Sequence, residues 1–300
     1  MNQQVWVCGE VLIDLIPNGK DRNIAIGGGP ANTAKALAKL GVATQFIDGI
    51  STDQYGQMVI KDLQSNGVLL DFINISNKPT SQALVSINKN GSATYEFKIY
   101  DTATFDFSHA WLPNPLSNTV SLLHIGTLAT IVEPAASILY EWAKNVALVA
   151  PIVFDPNVRS SFMNKREIYV NHVENWIKIS SAIKVSDEDI YWLYPQTKIE
   201  KVVERWLKLG PKLIVVTFGE EGLKGFRLNE IQSSLAKKVV VEDTIGAGDT
   251  VGAILVEAIL KQGLENLSGK KLRQVLDRAA KAAAITVSRK GASPPTRDEL

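Results

Sequence analysis

Asp249 closes the run Asp243-Thr244-Ile245-Gly246-Ala247-Gly248-Asp249, and an apolar helical pattern follows it over 247–261. Two glycines at this spacing let the backbone turn tightly and let a ligand approach it closely. The N–H groups at the start of a helix have no partner within the helix, so they form an anion site. Such a site suits a phosphate, or the charge that develops on a transferring phosphoryl group. A carboxylate beside it can take the proton of an attacking hydroxyl. Alone, Gly-x-Gly-Asp is more often a first-turn acid favoured by the helix dipole, so the rest of the chain must decide.

Two further positions pair with it. Gly27-Gly28-Gly29-Pro30-Ala31-Asn32 joins a flexible backbone to a side chain that donates and accepts hydrogen bonds together, which suits a pair of sugar hydroxyls. Asp14 lies in the apolar stretch Val11-Leu12-Ile13-Asp14-Leu15, where an isolated charge is costly. Each reads alone as a loop or a structural acid.

Together these segments resemble the PfkB, or ribokinase-like, family of carbohydrate kinases, most closely its fructokinases. The family's C-terminal signature, Asp-Thr-x-Gly-Ala-Gly-Asp, is present at every fixed position, and the glycine cluster with Asn32 is its N-terminal counterpart. The resemblance covers nearly the whole chain. It implies a ribokinase-like three-layer α/β/α sandwich with a small β-sheet lid, in one domain over 1–300, the lid coming from about 11–16 and 71–108. It implies that Asp249 is the general base and that the amides of Gly246, Ala247 and Gly248 form the anion hole. It places the sugar on Asp14, Gly28, Gly29 and Asn32. Asp155-Pro156-Asn157-Val158-Arg159 matches a stretch of fructokinase-like members, which gives Arg159 to the sugar or the phosphate. Phe97 and Tyr100 become lid contacts to the sugar ring.

For the nucleotide the resemblance points to Lys184, Ser186, Thr217, Gly219, Gly222, Gly246 and Gly248, with Ala280 and Ala283 flanking the adenine. Mg²⁺ falls to Asp189, where relatives usually carry Glu; Asp is one methylene shorter, and Glu188 is a substitute. A monovalent cation, K⁺, is implied near Asp243, Ile245, Ser288 and Gly291. ATP and Mg²⁺ are thus the expected cofactors, a small sugar the partner, and a homodimer through the lid is allowed.

The elements that must position these residues follow from periodicity. Apolar runs at 5–8, 44–50, 120–125, 152–155, 182–186 and 212–217 read as strands. Helical patterns at 31–40, 55–66, 133–147, 165–180 and 199–209 alternate with them. That alternation predicts βαβ units and a mostly parallel sheet. Segments 11–16, 71–76, 82–88 and 93–100 break it and predict a separate flap, with Asn88-Lys89-Asn90-Gly91 as a hairpin turn. Segment 239–242 reads as a strand, and 271–288 as a final helix.

Composition narrows the function classes. The 300 residues carry 32 Lys and Arg against 31 Asp and Glu, so no basic excess marks a nucleic-acid or membrane-surface partner. The single cysteine, Cys8, permits no internal disulfide and fits a reducing compartment. No apolar run reaches the roughly 18–20 residues of a membrane span, and the start of the chain lacks a secretory pattern, so a cytoplasmic protein is expected. His109, His124 and His172 are scattered and read as structural. The stretch Gly263 to Lys271 fails the P-loop pattern, and no dinucleotide fingerprint occurs at Gly27 or Gly246. The expected reaction is ATP-dependent phosphorylation of a primary hydroxyl, D-fructose to fructose 6-phosphate first. Ribose, 2-keto-3-deoxygluconate and nucleosides stand as alternatives, and a catalytically silent sugar- or nucleotide-binding regulator is a reading from another class.

Overall fold

Val5, Trp6, Val7 and Cys8 are fully buried, and alternate side chains of this strand enter two different apolar clusters. A strand points successive side chains to opposite faces, so both faces of the sheet must be covered. The computed structural model, which describes residues 4–18, 21–87, 93–163 and 165–300, shows that arrangement.

In chain order the strands are β1 (Val5–Cys8), β2 (Leu12–Asn18), β3 (Asp21–Gly27), β4 (Thr44–Ile47), β5 (Gly49–Ser51), β6 (Asn74–Ser76), β7 (Gln82–Ile87) and β8 (Ala93–Lys98). They continue with β9 (Leu122–Gly126), β10 (Ile152–Asp155), β11 (Ala182–Ser186), β12 (Leu213–Thr217), β13 (Leu223–Arg227) and β14 (Glu230–Ser234). The helices are α1 (Gly29–Lys39), α2 (Gln54–Ser65), α3 (Ala135–Ala147), α4 (Arg166–Ile179), α5 (Asp187–Leu193), α6 (Ile199–Leu207), α7 (Ala247–Gln262) and α8 (Gly269–Val287).

The central sheet runs β14-β13-β12-β11-β10-β9-β1-β4, parallel from β4 to β12 and antiparallel at β13 and β14. One face is covered by the cluster holding Leu139, Trp142, Trp176 and Trp206 of α3, α4 and α6. The other is covered by Leu37, Leu63, Ile254 and Leu276 of α1, α2, α7 and α8. The chain leaves β1 toward β4 and then crosses back to β9, so the order reverses between β1 and β9. Ligands of open α/β sheets bind beyond the strand ends at such a reversal.

The lid is a four-stranded sheet of order β3-β2-β7-β8. It differs from the sequence expectation in two ways. Strand β3, exposed over residues 21–24, joins it, although its polar composition gave no strand pattern. Strand β6 does not: it pairs with β5 in a two-stranded sheet, because the 44–50 run divides at buried Asp48 and its second half turns away from the central sheet. The proposed turn at 88–91 lies outside the described residues. Segment 239–242 is not a strand; it is exposed and tied to the end of α8 by the Glu242 and Asp243 N–H groups, both donating to Val287 O. Three β-branched residues in a row mimic a strand there with no neighbour to pair with.

Candidate active site

The parallel strands β1, β9, β10 and β11 all end on one edge, and Glu10, Thr127, Asn157 and Asp187 stand just beyond those ends. Together with the lid and the start of α7 they enclose a continuous cavity of about 820 Å³. Asp14, Phe97, Gly28, Gly29 and Asn32 line its lid end. Leu223, Thr217, Gly219, Ile245 and Ala283 line the far end, and Gly246, Ala247, Gly248 and Asp249 lie between.

Asp249 is in the first turn of α7. Gly246 caps that helix at φ 79°, a left-handed conformation that glycine adopts without strain, and a Cβ there would fall 2.8 Å from the Ala292 Cβ. Asp249 Oδ2 accepts a 2.9 Å hydrogen bond from Asn32 Nδ2 of α1. Burial pushes the carboxyl up to about 6, while the Lys184 charge and the Asn32 hydrogen bond restrain it. Asn32 Oδ1 is buried and has no hydrogen-bond partner among the described residues.

Gly29 faces three polar atoms. A Cβ on it would lie 2.8 Å from Asn157 Nδ2, 3.1 Å from Thr127 Oγ1 and 3.3 Å from Asp249 Oδ1. Only a bare backbone leaves these groups room to converge. Asn157 and Thr127 are themselves joined at 3.3 Å and both have positive φ, 38° and 60°. A β-branched residue at φ 60° is strained, and such strain gathers at functional sites.

Asp14 sits on β2, where burial pushes its carboxyl up to about 6 against the opposing charge of Arg159. Arg159 Nη1 donates to Asn157 Oδ1 at 2.7 Å and to the carbonyls of Asn157 and Val158. Lys184 and Asp155 form a buried ion pair at 2.9 Å beside Gly248. Burial pulls the Lys184 ammonium down, but the Asp155 and Asp249 charges outweigh it, so it is held charged above its ordinary range.

Several expected residues sit differently. Tyr100 lies two residues beyond the end of β8, is 71% exposed, and packs against Phe162 with ring centroids 6.0 Å apart, outside the cavity wall. Gly222 is also off the wall; its φ of 109° lets the backbone pass close to Ser234 O at the sheet edge. Ala280 is buried in the helical layer, whereas Ala283, a turn later on α8, lines the cavity. Asp189 reaches the cavity, but its oxygens accept from Val158 N and Ser186 N, and Ser186 Oγ accepts from Asp189 N in return. This reciprocal cap starts α5 and occupies the carboxylate that the sequence assigned to Mg²⁺. Asp187 and exposed Glu188 line the cavity beside it. Among the described residues no cluster of three His, Cys, Asp or Glu side chains is placed to hold a metal.

Asp243 joins the two loops assigned to a monovalent cation. Its Oδ1 accepts from Ile245 N and its Oδ2 from Gly291 N, at 3.0 and 2.9 Å. The Ser288 hydroxyl instead turns back to Ile285 O.

The sequence assigned nothing to Glu10 or Thr127 and read His124 as structural. Glu10 is 1% exposed and lines the cavity. Thr127 gave no signal, since strain is a property of the backbone. His124 is buried without partners for either ring nitrogen among the described residues, and burial lowers it to about 4. Among the described residues no helix is long and apolar enough to cross a membrane.

Known proteins are similar to this chain in sequence and in fold. The chain is 33% identical over 281 residues to a fructokinase of Rhizobium leguminosarum bv. trifolii, covering 92% of this chain and 85% of that one. The crystal structure of a fructokinase with bound ATP from Xylella fastidiosa superposes with a TM-score of 0.92 at 21% identity, covering 100% and 97% of the two chains. A fructokinase double mutant from Vibrio cholerae, solved with fructose, ADP and potassium ion, superposes with a TM-score of 0.85 at 24% identity, covering 97% and 94%. The family model described as "pfkB family carbohydrate kinase" matches residues 2–299. With both signatures lining one cavity and a family match from end to end, the chain belongs to the PfkB family and is a carbohydrate kinase of ribokinase-like fold.

Proposed function

We propose that this kinase transfers the γ-phosphate of ATP to the primary hydroxyl of D-fructose, giving fructose 6-phosphate, with Asp249 as the general base. The observation that carries the reading is Asn32. Its amide nitrogen fixes Asp249, and its amide oxygen, buried at the cavity, is left for a ligand donor. A sugar hydroxyl there satisfies an atom that would otherwise be costly to bury.

The sugar lies at the Asp14 end, under Phe97, and ATP at the Leu223–Ala283 end. The sugar oxygen attacks the γ-phosphorus, its bond to the ADP oxygen breaks, and the hydroxyl proton passes to Asp249. The amides at Gly246–Gly248 and the nearby Lys184 ammonium meet the charge spread over the phosphoryl oxygens. Mg²⁺, when bound, neutralises charge on the nucleotide phosphates. It needs few protein ligands, because it usually keeps several waters and the phosphates themselves. With the Asp189 oxygens engaged by backbone, the carboxylates of Glu188 and Asp187, which line the cavity beside it, would reach the metal's waters. K⁺ would sit at the junction that Asp243 builds between the 243–245 and 288–291 loops, next to the anion hole; a fructokinase structure of the same fold carries potassium ion.

The fructose assignment rests on relatives named fructokinase and on the Asp155–Arg159 stretch. A homodimer would pair through β3 or β8, the edges of the lid. One buried cysteine and the use of ATP fit the cytoplasm. The test is ADP release across fructose, ribose, 2-keto-3-deoxygluconate and a nucleoside. Fructose is expected to give the highest kcat/KM. A higher value on a nucleoside would move the assignment, and no turnover on any of them would end it.

A further inference from the structure

Glu10 is a buried acid of the cavity that the reaction above does not use. It follows β1 at the strand-order reversal, directly across from Thr127, which follows β9. Its Oε1 and Oε2 accept from Leu128 N and Ala129 N at 3.4 and 3.2 Å. Those amides open the short helical turn Thr127–Thr130. The Glu10 backbone supports the opposite wall: a Cβ on Gly28 would fall 2.4 Å from Glu10 O. One residue therefore braces both sides of the sugar end.

We propose that Glu10 is a positioning residue, whose carboxylate holds the Thr127–Thr130 turn so that the strained Thr127 hydroxyl stays over Gly29 and beside Asp249. The inference rests on the reading that the sugar occupies this end of the cavity. The charge on Glu10 strengthens both hydrogen bonds, since bonds to an ionised acceptor are roughly twice as strong as neutral ones. A protonated carboxyl keeps a weaker acceptor and must place a hydrogen among two donors. Burial pushes Glu10 up to about 7, opposed by its own backbone N–H, the Ala129 and Leu128 amides and the Arg159 charge, so the switch between these forms falls near neutral pH. The other titratable groups facing it are Asp48, Cys8 and Tyr169.

The test uses Glu10→Gln, Thr127→Gly and the double variant, with KM for fructose and for ATP measured from pH 6 to 8.5. In the wild type the fructose KM rises as pH falls through about 7. Glu10→Gln raises it about tenfold, as loss of a charged hydrogen-bond acceptor should, and flattens that pH dependence. The ATP KM stays within about twofold. Thr127→Gly removes the hydroxyl and relieves the strain, so the double variant is no worse than the worse single. Additive losses, equal rises in both KM values, or a wild-type pH profile in Glu10→Gln overturn the proposal. If Glu10→Gln does not fold, Thr127→Gly must show the flattened profile, and a retained pH dependence overturns it. Amide exchange gives a readout that needs no sugar: Leu128 and Ala129 exchange about tenfold faster in Glu10→Gln, and unchanged protection ends the proposal. Wild-type enzyme inactive on sugars would defeat the substrate reading instead.

Discussion

Asn32 Nδ2 and Asp249 Oδ2 meet at 2.9 Å across 217 positions of sequence, joining the first turns of α1 and α7. The bond ties the glycine cluster that begins the sugar end to the glycine turn that begins the phosphate end. It also divides the work of one carboxylate. Oδ2 is held, and Oδ1 faces the space over Gly29 where Thr127 and Asn157 converge.

Removing that tether should cost activity more than fold. Asn32→Ala is expected to lower kcat/KM for the sugar by about 10², the size of general-base and positioning effects. Asn32→Asp is the sharper test. It places a second carboxyl against Asp249, so the acid limb of the rate profile should move above pH 6. A limb that stays put would show that the two side chains do not interact.

The pH dependence follows from burial. Asp249 must be ionised to accept a proton, so kcat should fall as pH drops through about 6. The effect on stability has the opposite sense. The folded-state value is raised from 3.8, so the cost of burying the charge is absent below that value and is full above about 6. Asp249→Asn should therefore melt higher than the wild type at pH 8 and equal to it near pH 3.5. The gain is at most about 3 kcal/mol, at about 1.4 kcal/mol per pKa unit. Equal melting at both pH values would show that the carboxylate carries no burial cost.

The Lys184–Asp155 pair makes a separate prediction. Lys184→Met leaves Asp155 buried without its cation and should destabilise the fold by about 3–5 kcal/mol. Adding Asp155→Leu should recover much of that loss, because two apolar groups need no pairing. The double variant should still show a raised KM for ATP, since no cation then stands beside Gly248. Full recovery of the ATP KM would make the pair purely structural.

Most of the positioning frame was legible because it depends on local pattern. Strands buried on both faces are continuous apolar runs, and β1, β10 and β11 were placed to the residue. Glycine turns that start helices are also local signals. What the sequence concealed depends on neighbours far along the chain. The polar strand β3 exists only because β2 is beside it, and the apolar segment 239–242 is no strand because nothing pairs with it. The sequence assigns Asp189 to a metal but does not show the backbone its oxygens meet, Ser186 N at the start of α5, an element the periodicity missed, and Val158 N. Glu10 and Thr127 come together only through the crossing from β1 to β9, so no spacing between them reveals the contact.

The central claim concerns one proton. With fructose and ATP saturating, Asp249→Asn should lower kcat by about 10² or more while the KM for ATP changes little, as expected for a residue that acts in the transition state. Undiminished turnover in that variant would contradict the account, because no carboxylate would then remain beside the attacking hydroxyl at the anion hole.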